Sequence, residues 1–483
     1  MSTQHYPRIG LLIDGEWIRG GARQTQAVIN PATGEQLGEV PIATPDDIDR
    51  AADAASRAFP AWRRMPAIER AAVLQRIALA IRRHEERLAT ILTLEQGKRL
   101  TESLHEIRNT ADTFEWMAEE GKRAYGRIVP ARTPDTDQYV RLEPVGPVAA
   151  FSPWNFPAVL SSRKVATALA AGCPVVLKPA EETPGIMVAI AELCTEAGLL
   201  PGVLNLLYGV PATVSSRLIA SPHIRKISFT GSVAVGHQLA AQAGASGKRI
   251  TLELGGHAPV IVMDDVDVDR VIELTVAAKF RNAGQLCICP TRFYVHEAVH
   301  DRFAAQLTVQ ASKMRIGNGL DPAVDMGPLA NERRVHAMRG FCDDAQARGA
   351  RIQAGGHAPT DSQAGFFWTP TVITDIAEDA QAMTNEPFGP LALLCRFQRL
   401  EDALARANAL DVGLAAYAFT RSLRAAHQIE HGLEAGNVSI NTYATSAPEM
   451  PFAGIKNSGL GAEMGIEGLR EHMHSKSVVR AIA

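Results

Sequence analysis

Apolar positions along residues 46–121 recur at helical spacing. Leu74, Ile77, Ile81, Leu88 and Ile91 lie three, four and seven apart, with Arg82, Arg83, Glu85 and Glu86 on the opposite side. Residues 9–44 read differently, as short strands punctuated by the turns Asp14-Gly15 and Asn30-Pro31-Ala32-Thr33-Gly34. From residue 145 onward, short apolar runs alternate with helical stretches. The runs are 145–151, 174–177, 205–208, 226–229 and 250–254; the helices are 158–171, 184–197, 211–220 and 233–244. That repetition predicts a doubly wound parallel sheet, covered on both faces, of the kind that binds nucleotides.

A second alternating region begins near residue 259. Strands are expected at 260–263, 293–296 and 438–440, and helices at 267–281 and 299–313. Residues 122–142 and the tail 470–483 are polar and extended. The chain is therefore read as α/β throughout: a nucleotide-binding domain from 1–121 and 143–255, a second α/β catalytic domain from 256–469, and a small extended arm from 122–142 and 470–483.

Composition narrows the functions. Of 483 residues, 46% are hydrophobic and 21% charged, as in an ordinary globular chain. Lys plus Arg (49) less Asp plus Glu (52) gives −3, which offers no concentrated positive field for nucleic acid. The six cysteines form no CxxC pair, so neither a disulfide framework nor a structural metal is expected. No stretch approaches the ~20 apolar residues of a membrane span, and the first residues lack a signal-peptide layout. A reducing cytoplasm is the expected setting.

Five segments could carry chemistry. Phe229-Thr230-Gly231-Ser232 ends a strand and opens a helix, where backbone N–H groups can meet a phosphate; an ordinary strand–turn–helix reads equally well. Lys178 and Glu181 also follow a strand and can hold ribose hydroxyls, or simply pair with each other. Pro153-Trp154-Asn155-Phe156-Pro157 is stiffened by two prolines and can present an amide N–H, or form a packing corner. Glu253 is a carboxylate in an apolar strand before two glycines, suited to a general base or to a buried ion pair. Cys287 follows Gly284-Gln285-Leu286; a free cysteine is a strong nucleophile, but is more often inert and buried. Cys287 and Cys289 are two apart, so at most one is expected to face a given pocket.

Together these pieces resemble the aldehyde dehydrogenase superfamily over nearly the whole chain: PWNFP (153–157), VLKPAE (176–181), FTGS (229–232), LELGG (252–256), GQLC (284–287), EPFGP (386–390) and PFAGIKNSGLG (451–461). The resemblance implies that Cys287 attacks the aldehyde, that Asn155 and the Cys287 backbone N–H form an oxyanion hole, and that Glu253 activates water. It also implies an NAD site (NADP being the alternative) built from Ser152, Trp154, Lys178, Glu181, Gly231, Ser232, Gly236, Leu254, Glu386 and Phe388. Glu181 disfavours a 2′-phosphate by like charge. The family fold implies a homodimer or homotetramer joined through the arm.

For the substrate, the chain resembles the succinate-semialdehyde branch, with Arg163, Arg281 and Ser446 placed to hold a distal carboxylate. The wording PFAG at 451–454 and GHAP at 256–259 is similar to 2-oxoglutarate-semialdehyde dehydrogenases. A general aliphatic or aromatic aldehyde dehydrogenase, an enzyme passing its acyl group to coenzyme A, and a non-catalytic protein keeping the fold are the alternatives.

Overall fold

In the computed structural model, residues 6–21, 23–360 and 364–481 are described. The first sheet has eight strands in the order Glu16–Ile18, Leu11–Ile13, Leu204–Leu206, Val175–Lys178, Val148–Phe151, Lys226–Thr230, Arg249–Glu253, Gly459–Leu460. Its five central strands are parallel, and antiparallel strands close both edges. Three of its crossover helices, Pro157–Ala171, Pro184–Glu196 and Pro211–Ala220, begin on proline. Proline lacks only an N–H that a first turn leaves unbonded, and its fixed φ suits a helix start.

Several boundaries differ from the sequence reading. The strand expected from residue 145 begins at Val148, because Gly146 sits at φ 121° and Pro147 has no N–H to donate. The helical stretch 46–121 is four helices, Pro45–Arg64, Ala67–Arg83, Glu85–Gln96 and Leu100–Gly121. The first is closed by a capping box between Thr44 and Asp47, and the third ends on the left-handed Gly97.

The second sheet has seven strands in the order Arg351–Ala354, Thr371–Thr374, Leu391–Phe397, Pro290–His296, Ala258–Val262, Ala415–Phe419, Asn437–Ile440. Each large sheet has its own apolar core. Residues 459–469, grouped with the second unit on sequence, return to the first: Gly459–Leu460 extends its sheet, and Met464 and Leu469 join its core. Arg127–Val129, Thr136–Pro144 and Met473–Ala481 form a separate three-stranded arm. Among the described residues, no helix is long and apolar enough to cross a membrane.

Glu95, fully buried at the end of the third helix, caps the start of Pro184–Glu196. It accepts hydrogen bonds from the Gly185 and Ile186 amides (2.7 and 2.9 Å) and from the Tyr6 hydroxyl (2.5 Å). Burial nevertheless lifts its carboxyl to about 8. A folded-state value above the ordinary 4.5 means that folding favours the protonated form. The stability it contributes is whole at low pH and is lost as pH rises toward 8. Glu95→Gln is therefore expected to flatten the fall in Tm between about pH 5 and about pH 8; an unchanged slope in thermal melts would refute this.

Candidate active site

The first sheet reverses its winding at Val148–Phe151. From there the chain crosses to Val175–Lys178 on one side, and Lys226–Thr230 lies on the other. Connections that leave in opposite directions open a crevice at the carboxyl ends of the strands. Lys178 and Glu181 stand at one lip, 2.6 Å apart and buried, with Glu181 also accepting from the Gly209 amide at 2.9 Å. At the other lip, Gly231 and the exposed Ser232 precede the helix Val233–Ala245. The Thr230 hydroxyl is buried there without a partner. Gly236 packs on Leu254, and a Cβ at 236 would fall 2.4 Å from the leucine side chain. Ser152 turns inward instead, its hydroxyl 2.6 Å from that of Ser161. The open helix start, the paired ribose-type groups and the unpartnered hydroxyl suit a dinucleotide.

The candidate nucleophile comes from the second unit. After the helix Val268–Lys279, residues Asn282, Ala283 and Gly284 all take left-handed φ values (48°, 51° and 73°). Such a run costs roughly 1–3 kcal/mol per non-glycine residue and persists only where its surroundings enforce it. At Gly284 a Cβ would also lie 2.2 Å from the Gly389 carbonyl oxygen, so no side chain fits. The turn is held by Asn282, whose amide N–H donates to Glu102 (3.1 Å), and by Gln285, which bonds the Asn282 carbonyl (3.0 Å) and the Ala330 N–H (2.9 Å). Cys287 is thereby left half-buried on a cavity of about 210 Å³, with Asn155, Phe156, Arg163, Arg281, Ser446 and Phe452 among its walls. Cys289 is buried, its Sγ 3.2 Å from Lys279 Nζ.

Asn155 joins the two halves. Its side-chain amide donates to the Gln285 carbonyl (3.1 Å), and its own carbonyl accepts from Asn282 Nδ2 (3.0 Å). Glu253 ends the strand Arg249–Glu253, buried, with neither carboxylate oxygen hydrogen-bonded. Burial, then the nearby Glu463 carboxylate, hold its carboxyl well above the usual range; Lys164 and Arg163 oppose this. Lys164 and Glu463 themselves form a buried ion pair behind it. Burial pushes the Cys287 thiol up to about 12, reinforced by Glu386 and Glu253. Burial likewise lifts Glu386 to about 8, against the Gly256 amide that bonds it. Cβ positions built at Gly255 and Gly256 would strike Glu386 (2.5 Å) and the Cys287 carbonyl (2.9 Å), so these segments converge tightly. Phe388, at φ 48°, meets Trp154 edge to face with centroids 5.6 Å apart, and Arg334 holds the carbonyls of Pro387 and Phe388.

Arg163 donates to the Ser446 hydroxyl at 2.6 Å, and Arg281 lies over the Phe156 ring at 5.6 Å. The Nε of each arginine is buried and unpartnered. Sequence reasoning assigned no role to Lys98, Glu106 or Glu463. The available signals were the polar run Glu95-Gln96-Gly97-Lys98 interrupting a helical stretch, and Glu106 on the apolar side of the next helix.

Residues 17–478 match the aldehyde dehydrogenase family. The chain belongs to that family. It is 48% identical to 4-(hydroxymethyl)benzenesulfonate dehydrogenase of Comamonas testosteroni over 476 residues, 99% of each chain. It is 44% identical to the NADP⁺ succinate-semialdehyde dehydrogenase of Escherichia coli K12 over 465 residues, 96% of each. Its fold superimposes with a TM-score of 0.96 on betaine aldehyde dehydrogenase from Staphylococcus aureus in complex with NAD⁺, at 33% identity, covering 99% and 95% of the two chains. The chain is thus an oxidoreductase with aldehyde dehydrogenase activity.

In this aldehyde dehydrogenase Cys287 alone among the six cysteines is not buried. Without cofactor, iodoacetamide should label it first, at a rate climbing about tenfold per pH unit from about pH 7 to about pH 9.5, because only the thiolate reacts. A plateau near neutral pH, followed by peptide mass spectrometry, would contradict the raised thiol.

Proposed function

We propose that the chain oxidises a semialdehyde of a short dicarboxylic acid, succinate semialdehyde foremost, to the diacid, with NAD preferred and hydrolytic release. The observation that carries this is one cavity holding Cys287 together with two arginines and Ser446. Guanidinium groups bind a carboxylate bidentately, and both arginines line the cavity that holds Cys287.

The chemistry follows from the residues. The Cys287 thiol loses its proton to solvent at the cavity, and the thiolate adds to the carbonyl carbon, pushing the C=O electron pair onto oxygen to give a thiohemiacetal oxyanion. The Asn155 amide and the Cys287 N–H stabilise that oxygen, each by about 3–4 kcal/mol in comparable sites. When bound, the nicotinamide supplies the hydride acceptor; Lys178, Glu181, Gly231, Ser232, Glu386 and Phe388 would hold the dinucleotide. A thioester is left on Cys287. Glu253, with free carboxylate oxygens and a raised pKa, takes a proton from water, which then attacks the thioester. The presence of this base favours hydrolysis over transfer to coenzyme A.

A second reading is an aromatic aldehyde bearing a sulfonate. Phe156, Tyr443 and Phe452 line the same cavity, the arginines suit either anion, and a 48%-identical relative is named for 4-(hydroxymethyl)benzenesulfonate, the alcohol that corresponds to such an aldehyde. For both readings Arg281→Ala should raise KM for succinate semialdehyde or 4-formylbenzenesulfonate far more than for hexanal, while Cys287→Ser abolishes NADH formation from all three. Equal effects on charged and neutral aldehydes would remove the anion clamp, and the larger kcat/KM decides between the two acids.

Glu181 supports NAD: if it meets the ribose as proposed, its carboxylate, paired with Lys178, opposes a 2′-phosphate by like charge. Wild-type kcat/KM should favour NAD over NADP, and Glu181→Ser should narrow the ratio; an NADP preference would overturn this reading. Assembly into a homodimer or homotetramer is supported by the arm, where Ile128 and Val479 are 90% and 66% exposed.

A further inference from the structure

Lys98 and Glu106 lie outside every motif tied to the reaction, yet both are buried against the Asn155 loop. Lys98 has no exposed surface. Its ammonium donates to Glu106 (2.5 Å) and to the Asn155 carbonyl (2.7 Å), and it sits 3.7 Å from the centre of the Phe156 ring. The other oxygen of Glu106 accepts from the Ala158 and Val159 amides (2.9 and 3.2 Å), the start of the helix Pro157–Ala171. The pair therefore grips residues 155–159 from two sides. A buried ion pair is weak evidence for stability, because desolvation offsets most of the attraction. Its directed contacts are better explained by what they orient. They fix the carbonyl of Asn155, and so the direction in which its side-chain amide points, toward Gln285 and the cavity.

We propose that Lys98 and Glu106 are positioning residues that hold the Asn155 amide where the oxyanion forms. This rests on the oxyanion role given to Asn155 above. A donor displaced by about 1 Å loses much of its effect on a developing charge, whereas the binding of a neutral aldehyde such as hexanal, which carries no anion for the arginines, does not depend on that charge.

The test uses the full-length enzyme with hexanal and its 1-deuterated form. The variants are Glu106→Gln and the charge-neutral double variant Lys98→Met/Glu106→Gln, each alone and combined with Asn155→Ala. The double variant guards against misfolding from an unpaired buried lysine. Asn155→Ala alone should lower kcat by about 100-fold or more. Glu106→Gln and the double variant should each lower kcat at least about tenfold, with KM within about twofold and an increased deuterium isotope effect, because the oxyanion-dependent steps slow. Cys287 alkylation should be unchanged. In the Asn155→Ala background, neither substitution should lower kcat further by more than about twofold. An unchanged kcat, or the same loss with and without Asn155, overturns the positioning role. Full activity in Asn155→Ala overturns the oxyanion reading, and the inference with it.

Discussion

The hydrogen bond from the Asn155 amide to the Gln285 carbonyl crosses between two separately built sheets. One end hangs from the strand Val148–Phe151 of the first; the other follows the last helix before Pro290–His296 of the second. Each sheet buries its own core, so the distance between the candidate nucleophile and the Asn155 amide depends on how the two are joined. Polar contacts cross the seam at that point: Asn282 donates to the Asn155 carbonyl, and Glu102 accepts from the Asn282 amide. Such contacts are directional, whereas apolar packing tolerates sliding.

Burial then shapes the electrostatics. Glu253, Glu386 and the Cys287 thiol are all shifted toward their neutral forms, first of all by burial, which disfavours the charged form. A neutral thiol is a poor nucleophile and a neutral carboxyl no base. The closeness of the three groups means that the charge on any one depends on the others. Cations work against this neutralisation: Lys164 and Arg163 at Glu253, Arg163 at Cys287, and Arg334 and Lys279 at Glu386.

Much of this was legible in the chain. The βα alternation from residue 145 announced the parallel sheet because a strand buried on both faces must be apolar, and its crossover helix must carry a different period. The motifs around Asn155, Glu253 and Cys287 were visible because each pairs an unusual reactive group with proline or glycine, which are rare in regular elements. Boundaries were less legible: Pro147 and Gly97 cut elements that apolar content alone would have continued. The return of residues 459–469 to the first sheet was invisible, since a two-residue edge strand has no period to detect.

What the sequence determined by itself was the local chemistry: which strands are doubly buried, where helices start on proline, and which segments carry a candidate nucleophile, a candidate base and an amide. Only the tertiary structure decided which side chains face one another. Cys287 opens onto the cavity while Cys289 turns to Lys279, Ser152 turns away from the crevice, and Lys98 reaches Asn155 across 57 positions. The physical reason is that periodicity reports the burial of apolar surface, which is short-ranged along the chain. The partners of buried polar groups are chosen in space, by the requirement that each donor find an acceptor once water is gone.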